Sequence, residues 1–283
     1  MSWWDDAVHR AIVEVVLAGA LAGIVGVQVV LRRLSFFTMA LTHATFPGVV
    51  AATLLGVDVL AGGIVAGAVV ALGVAALSRR PGQNASAATG VLLSAGFALG
   101  AGLVATRSGF SRDLSSLLVG SILTVSGSDL LVTAAAVVVV TVVLVACARP
   151  LTFVGFDPTG ARAAGFRTGA WDVVLLLTIE VAVVTVVPAV GTILAIALIV
   201  APAAAARQWT SRLPAMTTLA VLFAAVGGLS GLYASSRWNI AAGAAIALTV
   251  TAILLASSAA RWAVTATGAS RHPDPARTPA ASR

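Results

Sequence analysis

Uninterrupted apolar runs of bilayer length dominate this chain. A helix needs about 20 mostly apolar residues to cross the hydrocarbon core. Runs of that kind fall at 11–31, 37–57, 59–78, 88–106, 128–148, 171–188, 190–206, 214–234 and 239–260. They predict an all-α polytopic membrane protein with about eight or nine transmembrane helices in one membrane domain, residues 1–266. Only 10% of the residues are charged, against about 25% in a domain whose surface is solvated by water. The apolar mass is mostly small or aliphatic, which suits close helix packing where lipid is the solvent. Gly90, Gly96, Gly100 and Gly102 read as close-packing sites on one helix. Asp5 and Asp6 precede the first run with no basic n-region, so it reads as a retained helix and not a cleaved signal. Segment 113–125 is too short and too polar at its start to span, and reads as a re-entrant or interfacial helix capped by Ser111 or Asp113. The tail 267–283 is rich in Pro, Arg, Ser and Ala and is predicted to be disordered.

The formal net charge is +7, yet no basic patch with interleaved aromatics exists, so nucleic acid is not a partner. All 17 basic residues are arginines placed between apolar runs. If the loop after the fifth run faces the cytoplasm, Arg32, Arg33, Arg79, Arg80, Arg149, Arg162, Arg167, Arg207, Arg212, Arg261, Arg271, Arg277 and Arg283 lie inside. Arg10, Arg107, Arg112 and Arg237 then lie outside. That bias predicts a multi-pass plasma-membrane protein with its N-terminus outside and its C-terminus in the cytoplasm. Arg32 and Arg33 read as topological anchors, and Trp3 and Trp4 as interfacial ones.

Several chemistries are excluded. Without lysine there is no P-loop, and no HExxH pair is present. Lone Cys147 supports neither a disulfide framework within the chain nor a cysteine cluster. The chain is therefore read as a non-enzymatic subunit with no bound cofactor; any ATP would be hydrolysed by another subunit.

Two ionisable residues stand out inside the runs, His43 and Glu180, and such residues face a cavity or a partner in most membrane proteins. Met39 and His43 are four apart and share a helix face, a thioether and an imidazole that together make a soft-to-borderline donor pair. Pro47-Gly48 then breaks the helix and frees backbone carbonyls, as ion-binding sites in transporters do. A proline kink with a core histidine, and a hydrogen-bonded structural acid at Glu180, are the competing readings. His9 and His272 read as non-ligands.

The segment RRLSFFTMALTHATFPG (32–48) resembles a signature of the zinc, manganese and iron ABC permease family, R-R-x-S-x-x-x-D-A-L-S-H-A-x-x-P-G. DLSSLLVGSIL (113–123) is similar to that family's D-L-x-x-x-L-x-G-S-x-L. FDPTGARAAGF (156–166) resembles its cytoplasmic coupling helix. VGTILAIALIVAPAAAAR (190–207) and WNIAAGAAIAL (238–248) resemble its last two signatures. Five blocks in order span nearly the whole chain. The resemblance implies a type II ABC importer-like membrane domain for a divalent transition metal. It also implies two copies forming a pore, a separate ATP-binding cassette subunit and an extracytoplasmic metal-binding protein. The metal path would use His43, with Met39 and Glu180 as further candidate ligands. The coupling segment, about 155–167, would contact the ATPase through Asp157, Ala161, Arg162 and Gly165; an ordinary solvated loop is the plainer alternative. Two departures matter. The family's carboxylate four residues before the histidine is Met39 here, and its last-helix Asp is Asn239. Loss of a hard anionic oxygen shifts the expected preference from manganese towards zinc, and Glu180 would supply a carboxylate from another helix. A secondary transporter driven by an ion gradient, with Glu180 as relay, is the rival reading; an internal inverted repeat would mark it, and none is evident.

Overall fold

The computed structural model describes residues 7–78, 85–105, 120 and 122–269. Among them the chain forms helices joined by short connections, with no strand. In chain order these are α1 (Ala7–Leu31), α2 (Ser35–Ala44), α3 (Phe46–Leu55), α4 (Val59–Leu77), α5 (Ala85–Ala105), α6 (Gly127–Ala146), α7 (Ala148–Phe156), α8 (Pro158–Ala163), α9 (Thr168–Val190), α10 (Thr192–Arg207), α11 (Leu213–Trp238) and α12 (Ala242–Ala269). A 3-10 turn, Ile122–Thr124, precedes α6. Eight spans are long and apolar enough to cross a membrane, α2 and α3 together forming one of them. The ninth predicted run is α10. Its 16 residues reach only about 24 Å at 1.5 Å per residue, short of a hydrocarbon core of about 30 Å. Gly191 separates it from α9 with φ +85° and ψ 161°, a backbone region open essentially to glycine alone.

The expected re-entrant segment lies outside the described residues apart from residues 120 and 122–125, as do Trp3, Trp4, His272, Arg79, Arg80, Arg107 and Arg112. Helix α12 runs to Ala269, past the boundary expected after residue 266, and the rest of the tail is outside the described residues.

α1 and α9 form the centre: 61% and 72% of their apolar windows are buried, against 22% for α5 and α12. Small residues let the backbones touch. On α1, Gly19 and Gly23 lie under Ala224 and Val221 of α11, and Gly26 under the Ile199 carbonyl of α10. Gly48 of α3 and Gly62 of α4 meet in the same way, and a Cβ on either would overlap the other's backbone. Close backbone approach of this kind drives association where lipid tails are as apolar as leucine. Of the four α5 glycines expected to pack closely, Gly96 touches Ala44 and Gly100 faces Phe46, while Gly90 and Gly102 face open space. Exposed Leu131, Val138, Val142 and Val145 of α6 form an apolar outer face, which suits a lipid surround.

The connections alternate between two ends. Arg32, Arg33, Arg149, Arg162, Arg167, Arg207, Arg212 and Arg261 gather at one end, joined there by contacts such as Arg32–Asp172 and Gln208–Ser258. Among the described residues only Arg10 and Arg237 sit at the other.

Candidate functional site

The span made by α2 and α3 bends where the sequence predicts a break, but the break falls at Thr45, two residues ahead of Pro47. Pro47 occupies the first turn of α3 and has no N–H to give to the carbonyl four residues earlier, that of His43. Beside the bend lies a cavity of about 250 Å³ lined by Thr42, His43, Phe46, Phe97, Val187 and Thr192, among others. His43 is half-buried and is the one ionisable group in this lining. Met39 is also half-buried, one turn earlier on α2, and its carbonyl accepts from Thr42 Oγ1 at 2.7 Å.

Glu180 is not brought to this cavity. It sits 1% exposed in the middle of α9, with both carboxyl oxygens buried and without a hydrogen-bond partner. Its carboxyl lies directly over Gly67 of α4, where a Cβ would overlap it. Among the described residues no three His, Cys, Asp or Glu side chains converge as a metal site. Of His43, Met39 and Glu180, only His43 lines this cavity.

A third intramembrane ionisable group, Glu14, was not among the sequence candidates. It is fully buried on α1, and its Oε1 accepts from Thr133 Oγ1 of α6 at 2.9 Å. The signal was in plain view, since residue 14 falls within the predicted run 11–31; proximity to the chain's polar start masked it.

At the arginine-rich end a larger cavity, about 770 Å³, is walled by Arg32, Arg33, Phe37, Ser78, Arg162 and Asp172, with further apolar residues. Arg32 is more than a topological anchor. Its guanidinium donates from Nη1 to Asp172 Oδ1 (3.1 Å) and from Nη2 to the Leu151 carbonyl, so one side chain ties α1 to α9 and α7. Burial pulls its pKa below the ordinary arginine value and Asp172 pushes it back up, leaving the group a cation. Arg33, by contrast, is exposed, with φ +57°.

The segment expected to couple forms α8, and local bonds specify it at both ends. Asp157 caps its start, Oδ1 accepting from Gly160 N–H at 2.7 Å, with Pro158 in the first turn, where its missing N–H is harmless. A Cβ at Gly160 would collide with that capping carboxylate. At the other end Gly165 adopts φ +84°. Phe166 N–H donates to the Ala161 carbonyl and Gly165 N–H to that of Arg162, the paired bonds of a Schellman motif. Ala161 is fully buried, Arg162 Nε donates to the Pro158 carbonyl at 3.1 Å, and Phe166 packs edge-on against Phe153 of α7. This is a short rigid corner held against the membrane domain beside the large cavity.

A family model described as the ABC 3 transport family matches residues 5–261. The chain belongs to the ABC 3 transport family. It is 32% identical over 240 residues to the manganese transport system membrane protein MntC of Halalkalibacterium halodurans, covering 85% of this chain and 82% of that one. It is 34% identical over 263 residues to the zinc transport system membrane protein TroC of Treponema pallidum, covering 89% and 88%. Among solved structures it is similar to PsaBC from Streptococcus pneumoniae in complex with Fab, with TM-score 0.79, 30% identity, and coverage of 88% of this chain and 90% of that one. The all-α, importer-like membrane domain expected from the sequence is the fold observed. In this member of the ABC 3 family Asn239, which stands where a carboxylate was expected, closes α11 in the left-handed region at φ 54°, a conformation asparagine tolerates better than most side chains.

Proposed function

We propose that the chain is the membrane-spanning subunit of an ATP-driven importer of a divalent transition metal, with zinc preferred to manganese. Membership of the ABC 3 family supports the transport class, and the names of the relatives support manganese or zinc as cargo. The observation that carries the site is His43: an imidazole on a broken span, facing a cavity between α2, α3, α5 and α9. Imidazole and thioether favour zinc over manganese, and Met39 stands where the family pattern has a carboxylate. One histidine does not hold an ion firmly. Weak ligation by His43, aided by Met39, freed carbonyls and the same groups of a second copy, suits cargo that must leave again.

Arginines mark cytoplasmic loops, so the arginine-rich end is the cytoplasmic one and the C-terminus lies there. The cassette subunit docks on α8, through Asp157, Ala161, Arg162 and Gly165. Closure of the nucleotide sandwich would push this rigid corner, and Arg32 would carry the push to α1 and α9, rocking the spans between outward and inward openings. An extracytoplasmic binding protein presents the metal at the opposite end. The rival secondary transporter has less support, because Glu180 lines none of the cavities described above.

The test is zinc and manganese accumulation in cells expressing the chain with its cassette subunit and binding protein, beside His43→Ala and a cassette unable to hydrolyse ATP. Uptake lost in both variants is the expected result. Uptake indifferent to the cassette would overturn the importer class, and uptake that ignores His43 would remove the site.

A further inference from the structure

The end of the bundle poor in arginine holds a third cavity, about 390 Å³, between α1, α4, α6 and α9. Three carboxylates line it, Glu14, Asp58 and Asp129, with the hydroxyls of Ser128, Thr133 and Thr185. No arginine, lysine or histidine lines it. Two of the acids have a structural duty that uses part of each carboxylate. Asp58 caps α4, Oδ1 accepting from Ala61 N–H at 2.8 Å. Asp129 closes the capping box of α6, Oδ2 accepting from the Ser126 amide at 2.9 Å and its hydroxyl at 2.7 Å.

Glu14 has no such duty. It is the eighth residue of α1, about 10 Å along the helix from its start, and is fully buried. Thr133 satisfies Oε1, while Oε2 is buried without a partner. A buried acceptor left unsatisfied costs about 1–3 kcal/mol, more when it is charged. Asp129 lines the same cavity, and two carboxylates sharing a site repel when both are charged. A cation between them would satisfy the free oxygen and remove the repulsion.

We infer that this cavity is a cation station, with Glu14 at its floor and Asp129 and Asp58 nearer its mouth, that takes a partly hydrated divalent metal ion. All its donors are oxygens, the set that suits hard cations and manganese and discriminates little among divalent ions. No three of the acids converge tightly, so water completes the coordination. The assignment rests on the importer reading for its biological sense: the station lies at the end where metal would arrive, ahead of His43.

The experiment uses the full chain in lipid nanodiscs titrated with Mn2+, following loss of the free-ion signal by electron paramagnetic resonance. Glu14→Gln, which keeps the shape and the bond from Thr133, is expected to weaken Mn2+ binding by about tenfold or more. Glu14→Asp retains binding, Asp129→Asn weakens it, and Mg2+ in excess competes. Asp129→Asn carries the test alone if Glu14→Gln fails to give a folded protein by gel filtration. Mn2+ binding unchanged in Glu14→Gln and Asp129→Asn would overturn the station. Cellular uptake that needs His43, with Mn2+ binding indifferent to Glu14, sinks this inference and leaves the importer reading standing. Glu14-dependent binding in a chain whose cells accumulate no metal does the reverse.

Discussion

The carboxylates at the ends of the bundle and those in its interior are treated in opposite ways. At the ends they are bonded. Arg32 holds Asp172 and a carbonyl, Asp157 caps α8, Asp58 caps α4, and Asp129 accepts from Ser126 in the capping box of α6. In the interior they are left open. Glu180 has two oxygens without partners, Glu14 has one, and His43 faces an apolar cavity. An unsatisfied buried group lowers stability, so Glu180 and the free oxygen of Glu14 mark the places in the interior where stability is given up. Bonded corners suit transmission of force, whereas open donors suit a passenger.

The contrast is broken most severely at Gly67. A methyl group there overlaps the Glu180 carboxyl, and overpacking of an interior contact costs about 1–3 kcal/mol. Gly67→Ala is expected to lower thermal stability in detergent by that amount, and Glu180→Ala in the same chain to restore most of it. Strictly additive effects in that double-mutant cycle would show that Glu180 swings aside freely and that the contact constrains nothing.

Apolar length fixed the number of spans to within one, because twenty residues of hydrocarbon thickness leave few alternatives. The ninth run is α10, which Gly191 sets off from α9 and which, though short, carries the chain back to the arginine-rich end. The bounds of α8 have causes that lie in the local sequence, Asp-Pro at its start and Gly just past its end. Contacts between distant helices do not. Nothing in residues 32 and 172 announces their pairing, and the separation of Glu180 from His43 depends on how α9 is rotated, which an all-round apolar helix conceals.

The contrast is sharpened at Met39. Met39→Asp returns a hard anionic oxygen to the face that carries His43, one turn away. Manganese uptake is expected to gain on zinc by about tenfold, or about 1.4 kcal/mol, in competition assays with the assembled transporter. Binding at the Glu14 station should not move, because Met39 lines no part of that cavity. An unchanged metal ratio would mean that the α2 face does not select the cargo.

The smallest effect is at the bonded end. Gly165→Ala puts a Cβ on a residue at φ +84°, which costs an L-residue about 1 kcal/mol, while nothing around that Cβ crowds it. The loss therefore falls on the α8 corner alone. Uptake and cassette stimulation should drop by a few-fold, about what 1 kcal/mol allows, with Mn2+ and zinc binding to the chain unaltered. Gly165→Asn is the sharper probe: asparagine tolerates the left-handed region, so it should recover most of the loss although it is the larger side chain. If alanine and asparagine weaken uptake equally, size at the docking surface decides, not backbone geometry, and α8 is then a contact patch and not a rigid corner.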